Sequence, residues 1–445
     1  MIAAVFPLDR WIAGRLGLGG APLDRAAIEA WQMDCLRQTL DWARGRSAFY
    51  RRHLSSLDGA PPRSLADFAE YPFTTAADIQ ADPLQFLCLS QGDISRVVTL
   101  DTSGTTGLPK RIFFTGEDQE VTLGFFEHGL RQMAGPGDKV MILLPGDRPG
   151  GVGDLLSRAI RRLDATPVPV GISQDAKAVA ELGARNAASL LIGIPVQVLA
   201  VARHWRAMGL PRDCLRRVLL CSDNISEAVC AEIAALLDCE IFRDWGMTEM
   251  GYGGGVDCIA HDGYHLQEAD FLFEVVDPRS GRPLPPEALG EVVFTTLTRR
   301  GMPLIRYRTG DLARLVEDPC PCGSALRRLD RIETRKTGLV SLSGGDISMA
   351  ALDDALFEIP GIADFSASLL REGRSPILRI EVFQRTRAEG RPGLDAMALQ
   401  SAVMEALDSI PVMRRSSDVA IEVVLRPDMM PVSRGKRMIR LEEGT

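Results

Sequence analysis

Ile28, Trp31, Cys35, Leu36 and Leu40 recur at the spacing of one helix face, which predicts an amphipathic helix over 28–43. Pro61, Pro62 and Pro72 then interrupt the pattern, and two β-rich runs, 97–100 and 111–115, flank a loop rich in Gly, Ser and Thr. From 139 to 243 the chain alternates. Short apolar runs at 140–144, 166–170, 189–194, 218–221 and 240–242 read as buried strands, with helical stretches near 154–163, 175–185, 195–208 and 226–238 between them. That alternation predicts an α/β fold with a doubly wound parallel sheet covered by helices on both faces. Residues 265–316 add a β-rich subdomain.

A smaller unit is expected from about Arg331, with a helix at 350–358, strands at 365–370 and 377–383, a helix at 394–409 and a strand at 419–425. The expected organisation is a large N-terminal domain, 1–331, and a small mobile α+β C-terminal domain, 332–445, with its own core and a hinge at 331–338. The polar stretch 385–393 reads as a surface loop.

Composition narrows the function without naming it. At 445 residues, 46% hydrophobic and 25% charged, the chain has enough material for two cores. A net charge of -8 argues against nucleic acid and anionic membranes as partners. Nine scattered cysteines form no secreted disulfide framework, and Cys35, Cys221 and Cys230 sit in apolar runs as core residues. Asp9, Arg10 and Arg15 break the first apolar stretch, so no signal peptide is expected and the cytoplasm is the expected location.

Only five lysines occur, at 110, 139, 177, 336 and 436, which draws attention to one inside the early loop. That loop reads TSGTTGLPK over 102–110. Gly104 and Gly107 let backbone N–H groups turn towards an anion, Ser103, Thr105 and Thr106 add hydroxyls, and Lys110 adds charge. It is not the Walker loop: the glycine–lysine spacing differs and no Ser or Thr follows Lys110.

The loop resembles the signature of the adenylate-forming superfamily of acyl-CoA synthetases, and three further motifs follow in that family's order. DWGMTE over 244–249 resembles its aromatic-Gly-x-Thr-Glu motif, YRTGD over 307–311 its ribose motif, and PVSRGK over 431–436 its C-terminal Gly-Lys motif. GEVVFTTLT over 290–298, PLIRYRTGD over 303–311, and Cys258 and His265 after the Trp-Gly-Met-Thr-Glu run are similar to the phenylacetate–CoA ligase branch.

The resemblance implies an AMP-forming acid:CoA ligase using Mg2+ and ATP, with a small-molecule carboxylic acid, aryl or aryl-acetic being the class it suggests, and coenzyme A as substrates. It implies that Thr102, Ser103, Gly104, Thr105, Thr106 and Gly107 close over the phosphates while Lys110 neutralises the leaving pyrophosphate. Glu249 would hold Mg2+ and Thr248 the α-phosphate. Asp244, Trp245, Gly246 and Met247 complete that motif, with Trp245 either stacking near adenine or packing in the core. Ser222, Asp223 and Asn224 would read the adenine edge, although Asp223 and Asn224 equally suit helix capping before Ser226. Asp311 would accept the ribose hydroxyls, Arg335 would contact the nucleotide, and Lys436 would stabilise charge on the reacting carboxylate.

One departure concerns the hinge. Where the branch carries a small residue and two aspartates after its arginine, this chain has Lys336, Thr337 and Gly338. Adenylation without transfer to coenzyme A, and a nucleotide-binding regulatory protein without catalysis, therefore stay open as alternatives. A homodimer also stays open.

Cys258, His265, Cys320 and Cys322 match the ligand set of a tetrahedral structural Zn2+ site, with His261 competing for the fourth position. The acid pocket is expected near 120–150, 219–224 and 244–255, where the glycine-rich 251–255 suggests room for a flat group.

Overall fold

The computed structural model describes residues 6–57, 59–100, 109–173, 175–335, 338–371, 376–385, 395–426 and 437–443. They form two compact units, the first from 1–132, 154–163 and 244–332, the second from 133–153, 164–243 and 333–445. These units do not follow the expected boundary between 1–331 and 332–445, because 133–153 and 164–243 group with 333–445.

In the first unit, helix Arg25–Arg46 begins where the Asp24 side chain accepts from the Ala27 N–H, and it buries Ile28, Cys35, Leu36 and Leu40 as the spacing requires. Strands Arg96–Leu100 and Lys110–Phe114 pair antiparallel with Leu100 opposite Lys110. The register thus brings both ends of the 101–109 loop together. Strands Phe271–Val276, Gly290–Thr296 and Tyr307–Ala313 make an antiparallel sheet whose inner face carries Phe271, Phe294 and Tyr307. A separate antiparallel ladder pairs Trp245 with Gly255, Val256 with His265, and His265 with Arg328.

The second unit contains the expected parallel sheet. Its strands lie in the order Thr166–Pro169, Lys139–Leu143, Leu190–Gly193, Arg217–Leu220 and the first residues of Glu240–Trp245. Helices Ala176–Asn186, Pro195–Ala207 and Glu227–Leu237 connect them. Beyond 333, helices Met349–Leu356 and Ala396–Ser409 accompany a four-stranded sheet in which Ile362–Arg371 and Ile377–Gln384 are central and antiparallel. Strands Ala420–Arg426 and Arg440–Glu443 flank that pair in parallel.

Two readings need correction, and short elements were not foreseen. The 332–445 stretch does not have a core of its own: one buried cluster runs from Met141, Leu191 and Trp205 to Leu352, Phe365 and Val403. Periodicity shows which face is apolar, not what covers it. Arg385, expected to open a surface loop, is only 12% exposed and pairs with Glu232, while 386–394 lie outside the described residues. The hairpin strands Val340–Leu342 and Gly345–Ile347 are too short to announce themselves by alternation, and the strand Arg440–Glu443 carries a single apolar residue, Leu441, among charges. No helix among the described residues is long and apolar enough to cross a membrane.

Candidate functional site

The segment after strand Glu240–Trp245 folds into a tight loop because Gly246 permits it. A Cβ at Gly246 would lie 2.0 Å from the Tyr252 carbonyl oxygen. Thr248, half-buried, opens the short 3-10 turn Thr248–Met250, and Gly251 and Tyr252 follow at positive φ. Two outside groups fix the turn. Arg299 Nη1 donates to the Glu249 carbonyl at 2.6 Å, and Thr122 Oγ1 donates to the Gly251 carbonyl at 2.9 Å.

The Glu249 side chain is buried, and its Oε1 accepts from both Lys110 Nζ and Tyr307 Oη, the latter at 2.9 Å. Lys110 Nζ also donates to Tyr307 Oη at 3.3 Å. Burial pushes the Glu249 carboxyl up, but Lys110 and the Tyr307 hydroxyl outweigh it and hold it below the usual range. Burial first, and then the Glu249 charge, push Tyr307 well above the ordinary phenol value. Sequence reasoning quoted Tyr307 inside a motif without giving it a role, and it missed Arg299. Both act through closeness in space that no local pattern records.

Trp245 packs in the core, its ring centre 5.8 Å from that of Phe273, and its Nε1 donates to Asp311 Oδ2 at 2.9 Å. Asp311 is itself fully buried, and its N–H donates to Thr309 Oγ1 at 3.0 Å. Asp244 lies beside Trp245 at the end of the strand, opposite Val256, and Met247 precedes the 3-10 turn.

In the second unit Ser222 follows strand Arg217–Leu220, exposed and at φ +72, a strained conformation for a residue with a side chain. Asp223 and Asn224 do not cap the next helix. Ser226 is the N-cap of Glu227–Leu237 and supplies no side-chain bond there. Asp223 Oδ1 accepts from the Asn224 N–H and its Oδ2 from the Arg437 N–H, while Asn224 Nδ2 donates to Asp353 Oδ2. Arg335 ends the short strand Thr334–Arg335. Thr102, Ser103, Gly104, Thr105, Thr106, Gly107, Lys336, Thr337 and Lys436 lie outside the described residues.

Cys258, His265, Cys320 and Cys322 converge, their ligand atoms all within 4.8 Å of one another. Cys258 Sγ lies 3.6 Å from Cys320 Sγ, and Cys322 Sγ lies 3.3 Å from His265 Nε2. A zinc bound by bonds of about 2.3 Å to sulfur and about 2.0 Å to nitrogen would set these edges near 3.8 and 3.5 Å, so the donors fit the ion. His261 is not part of the group, because its Nδ1 is 2.8 Å from Asp257 Oδ2. The crowded thiols push one another apart in acidity: the bond to Cys258 holds Cys322 down to about 3 and drives Cys258 up.

The glycine-rich 251–255 stretch does not provide the room expected of it. A Cβ at Gly253 would lie 2.2 Å from the Phe125 ring, and one at Gly254 would meet Met250 and Trp245 at 2.7 and 3.0 Å. These glycines admit neighbouring side chains rather than a ligand.

The AMP-binding enzyme family matches residues 96–297. The phenylacetate-coenzyme A ligase of Thermus thermophilus is 29% identical over 79% of this chain and 80% of its own length. That of Escherichia coli K12 is 28% identical, over 81% of this chain and 84% of its own length. Among solved structures, 2-hydroxyisobutyryl-CoA ligase in the postadenylation state superposes with a TM-score of 0.79 at 21% identity, covering 95% of this chain and 90% of that one. This last likeness establishes the fold, and the sequence matches extend across the motifs at 110, 244–249 and 307–311. These matches support kinship with the adenylate-forming AMP-binding enzymes, and within them with the phenylacetate–CoA ligase-like branch of the AMP-forming acyl-CoA synthetases.

Proposed function

We propose that this enzyme activates a carboxylic acid, aryl or aryl-acetic in class, with Mg2+ and ATP, and then transfers the acyl group to coenzyme A. The acid's oxygen attacks the α-phosphorus, the bond to the β-phosphate breaks, and pyrophosphate leaves. The thiol sulfur then attacks the acyl carbonyl, its proton passes to solvent, and AMP leaves. The observation that carries this reading is the buried Lys110–Glu249–Tyr307 cluster, which gathers three motif residues around one carboxylate oxygen.

Each residue's part follows from its chemistry. Lys110 supplies charge to the leaving pyrophosphate once it exchanges Glu249 for phosphate oxygens. Glu249 is an ionised hard donor of the kind Mg2+ takes, and that ion would neutralise charge between phosphates. Tyr307 and Arg299 hold Glu249 in place throughout. Thr248 bonds the α-phosphate, and residues 102–107 enclose the outer phosphates. Asp311, oriented by the Trp245 indole, accepts the ribose hydroxyls. Ser222, Asp223 and Asn224 read the adenine edge, and Arg335 contacts the nucleotide. Lys436 stabilises the reacting carboxylate and α-phosphate, and the 332–445 segment then swings away to admit the thiol. The cysteine–histidine cluster holds zinc as a staple between two loops and takes no part in the chemistry.

Thr337, standing at the hinge position where the branch carries aspartate, favours a second reading in which adenylation is not followed by transfer to coenzyme A. ATP–pyrophosphate exchange driven by an added acid tests the first half-reaction. Exchange in the wild type and its loss in Lys436→Ala, with ATP binding retained, is the expected outcome. Full exchange in that variant overturns the role of Lys436, and no exchange with any acid moves the account to a regulatory nucleotide-binding protein.

A further inference from the structure

Arg437 stands one residue beyond Lys436, and its side chain is only 6% exposed. Its guanidinium pairs with Asp353, lies 3.1 Å from Asp364, and donates to the Phe365 carbonyl at 2.8 Å. The Phe365 and Phe357 rings cover it at 4.5 and 5.3 Å. Its backbone N–H donates to Asp223 Oδ2 at 3.2 Å, and Asn224 Nδ2 reaches Asp353 Oδ2 at the same distance. Burying a guanidinium and the Asp353 carboxylate, with Asp364 half-buried beside them, is costly when apolar side chains would fill the space equally well. What such a cluster supplies is a fixed geometry, because a planar fork bonded on several sides admits one orientation.

We propose that Arg437 is a positioning residue for the adenylation half-reaction. It locks the backbone next to Lys436 onto the Asp223–Asn224 loop, so that the lysine is placed when the C-terminal segment is docked there. This rests on the reading of Lys436 given above. The contacts divide in a way that suits a latch. Those of the guanidinium with Asp353, Asp364 and Phe365 lie within 333–445 and travel with it. The two bonds to Asp223 and Asn224 break when that segment leaves the loop.

The test measures the two half-reactions separately in the full-length enzyme. The first is pyrophosphate release with a panel of phenylacetate, benzoate and 2-hydroxyisobutyrate. The second is thioester formation from coenzyme A and the synthetic adenylate of whichever panel acid the wild type activates. Arg437→Ala is expected to slow pyrophosphate release by ~10-fold to 100-fold, the usual consequence of misplacing a reacting group by about 1 Å, and to leave thioester formation within about threefold. Arg437→Lys is expected not to restore release, since an ammonium cannot form the fork. Should the alanine variant melt too low to assay, Arg437→Met keeps the volume between the two rings and is expected to show the same split. Equal loss in both half-reactions, or loss in neither, overturns the proposal. A wild type that releases no pyrophosphate with any acid defeats the parent reading, and the latch falls with it before any variant is made.

Discussion

At the scale of single residues, the ion pair between Lys110 and Glu249 is the feature most exposed to test. Removing one member of a buried pair strands the other, at a cost of about 3–5 kcal/mol. Lys110→Met should therefore lower the melting temperature at neutral pH. The pH dependence follows from the depressed carboxyl of Glu249. Its stabilising contribution is present above the ordinary value of 4.5 and is lost as pH falls through its lower value in the fold. The melting difference between wild type and variant should therefore shrink in acid, as Glu249 is protonated in both. A difference that stays constant across that range would show that the pair is not its source. Lys110 and Glu249 were legible in the sequence because consecutive residues carry their motifs. Tyr307 lies 58 positions from Glu249, and Arg437 lies 84 from Asp353, so only the fold reveals those partnerships.

Among the elements, the parallel strands could be read as apolar runs, and their helices because each spans enough residues to show a period. The hairpin at 340–347 and the strand Arg440–Glu443 could not. The glycine-rich 251–255 loop was misread for a different reason: glycine records that something approaches closely, not whether it is a ligand or a neighbour. Gly253→Ala, which forces a methyl group against Phe125, should destabilise the enzyme by about 1–3 kcal/mol. A variant as stable as wild type would show that the ring moves freely aside. The cysteine–histidine cluster was legible as two short motifs, and the fold brings them together. Metal analysis should find about one zinc per chain, and Cys320→Ser should lower both metal content and melting temperature. Wild-type protein stripped of metal but melting unchanged would remove the staple from the account.

Across the whole molecule, the shared core of the second unit changes how the proposed movement of the C-terminal segment must be pictured. Leaving its place breaks apolar contacts, the Asp223–Asn224 bonds, and a second link in which Arg203 donates to the Ala363 carbonyl at 2.9 Å while Glu232 pairs with Arg203 and Arg385. Docking should also depend on pH. Burial raises Asp353 to about 7, and Asp223 and Asp364 add to this while Arg437 and the Asn224 amide oppose it. Undocking removes Asp223 and part of the burial, so the docked state takes up the proton more readily. Docking is therefore favoured below about pH 7 and weakens as pH rises through that value. X-ray scattering should give a larger radius of gyration at pH ~8 than at pH ~6, and an unchanged or smaller one would contradict the coupling.

The central claim, that this enzyme forms an acyl-adenylate and passes it to a thiol, is tested most directly by pyrophosphate release across aryl, aryl-acetic and short hydroxy acids, each with and without coenzyme A. The account predicts release that requires one class of acid, increases with coenzyme A, and is matched by thioester. Acid-dependent release that coenzyme A leaves unchanged, with no thioester formed, would contradict the transfer step and leave an enzyme that stops at the adenylate.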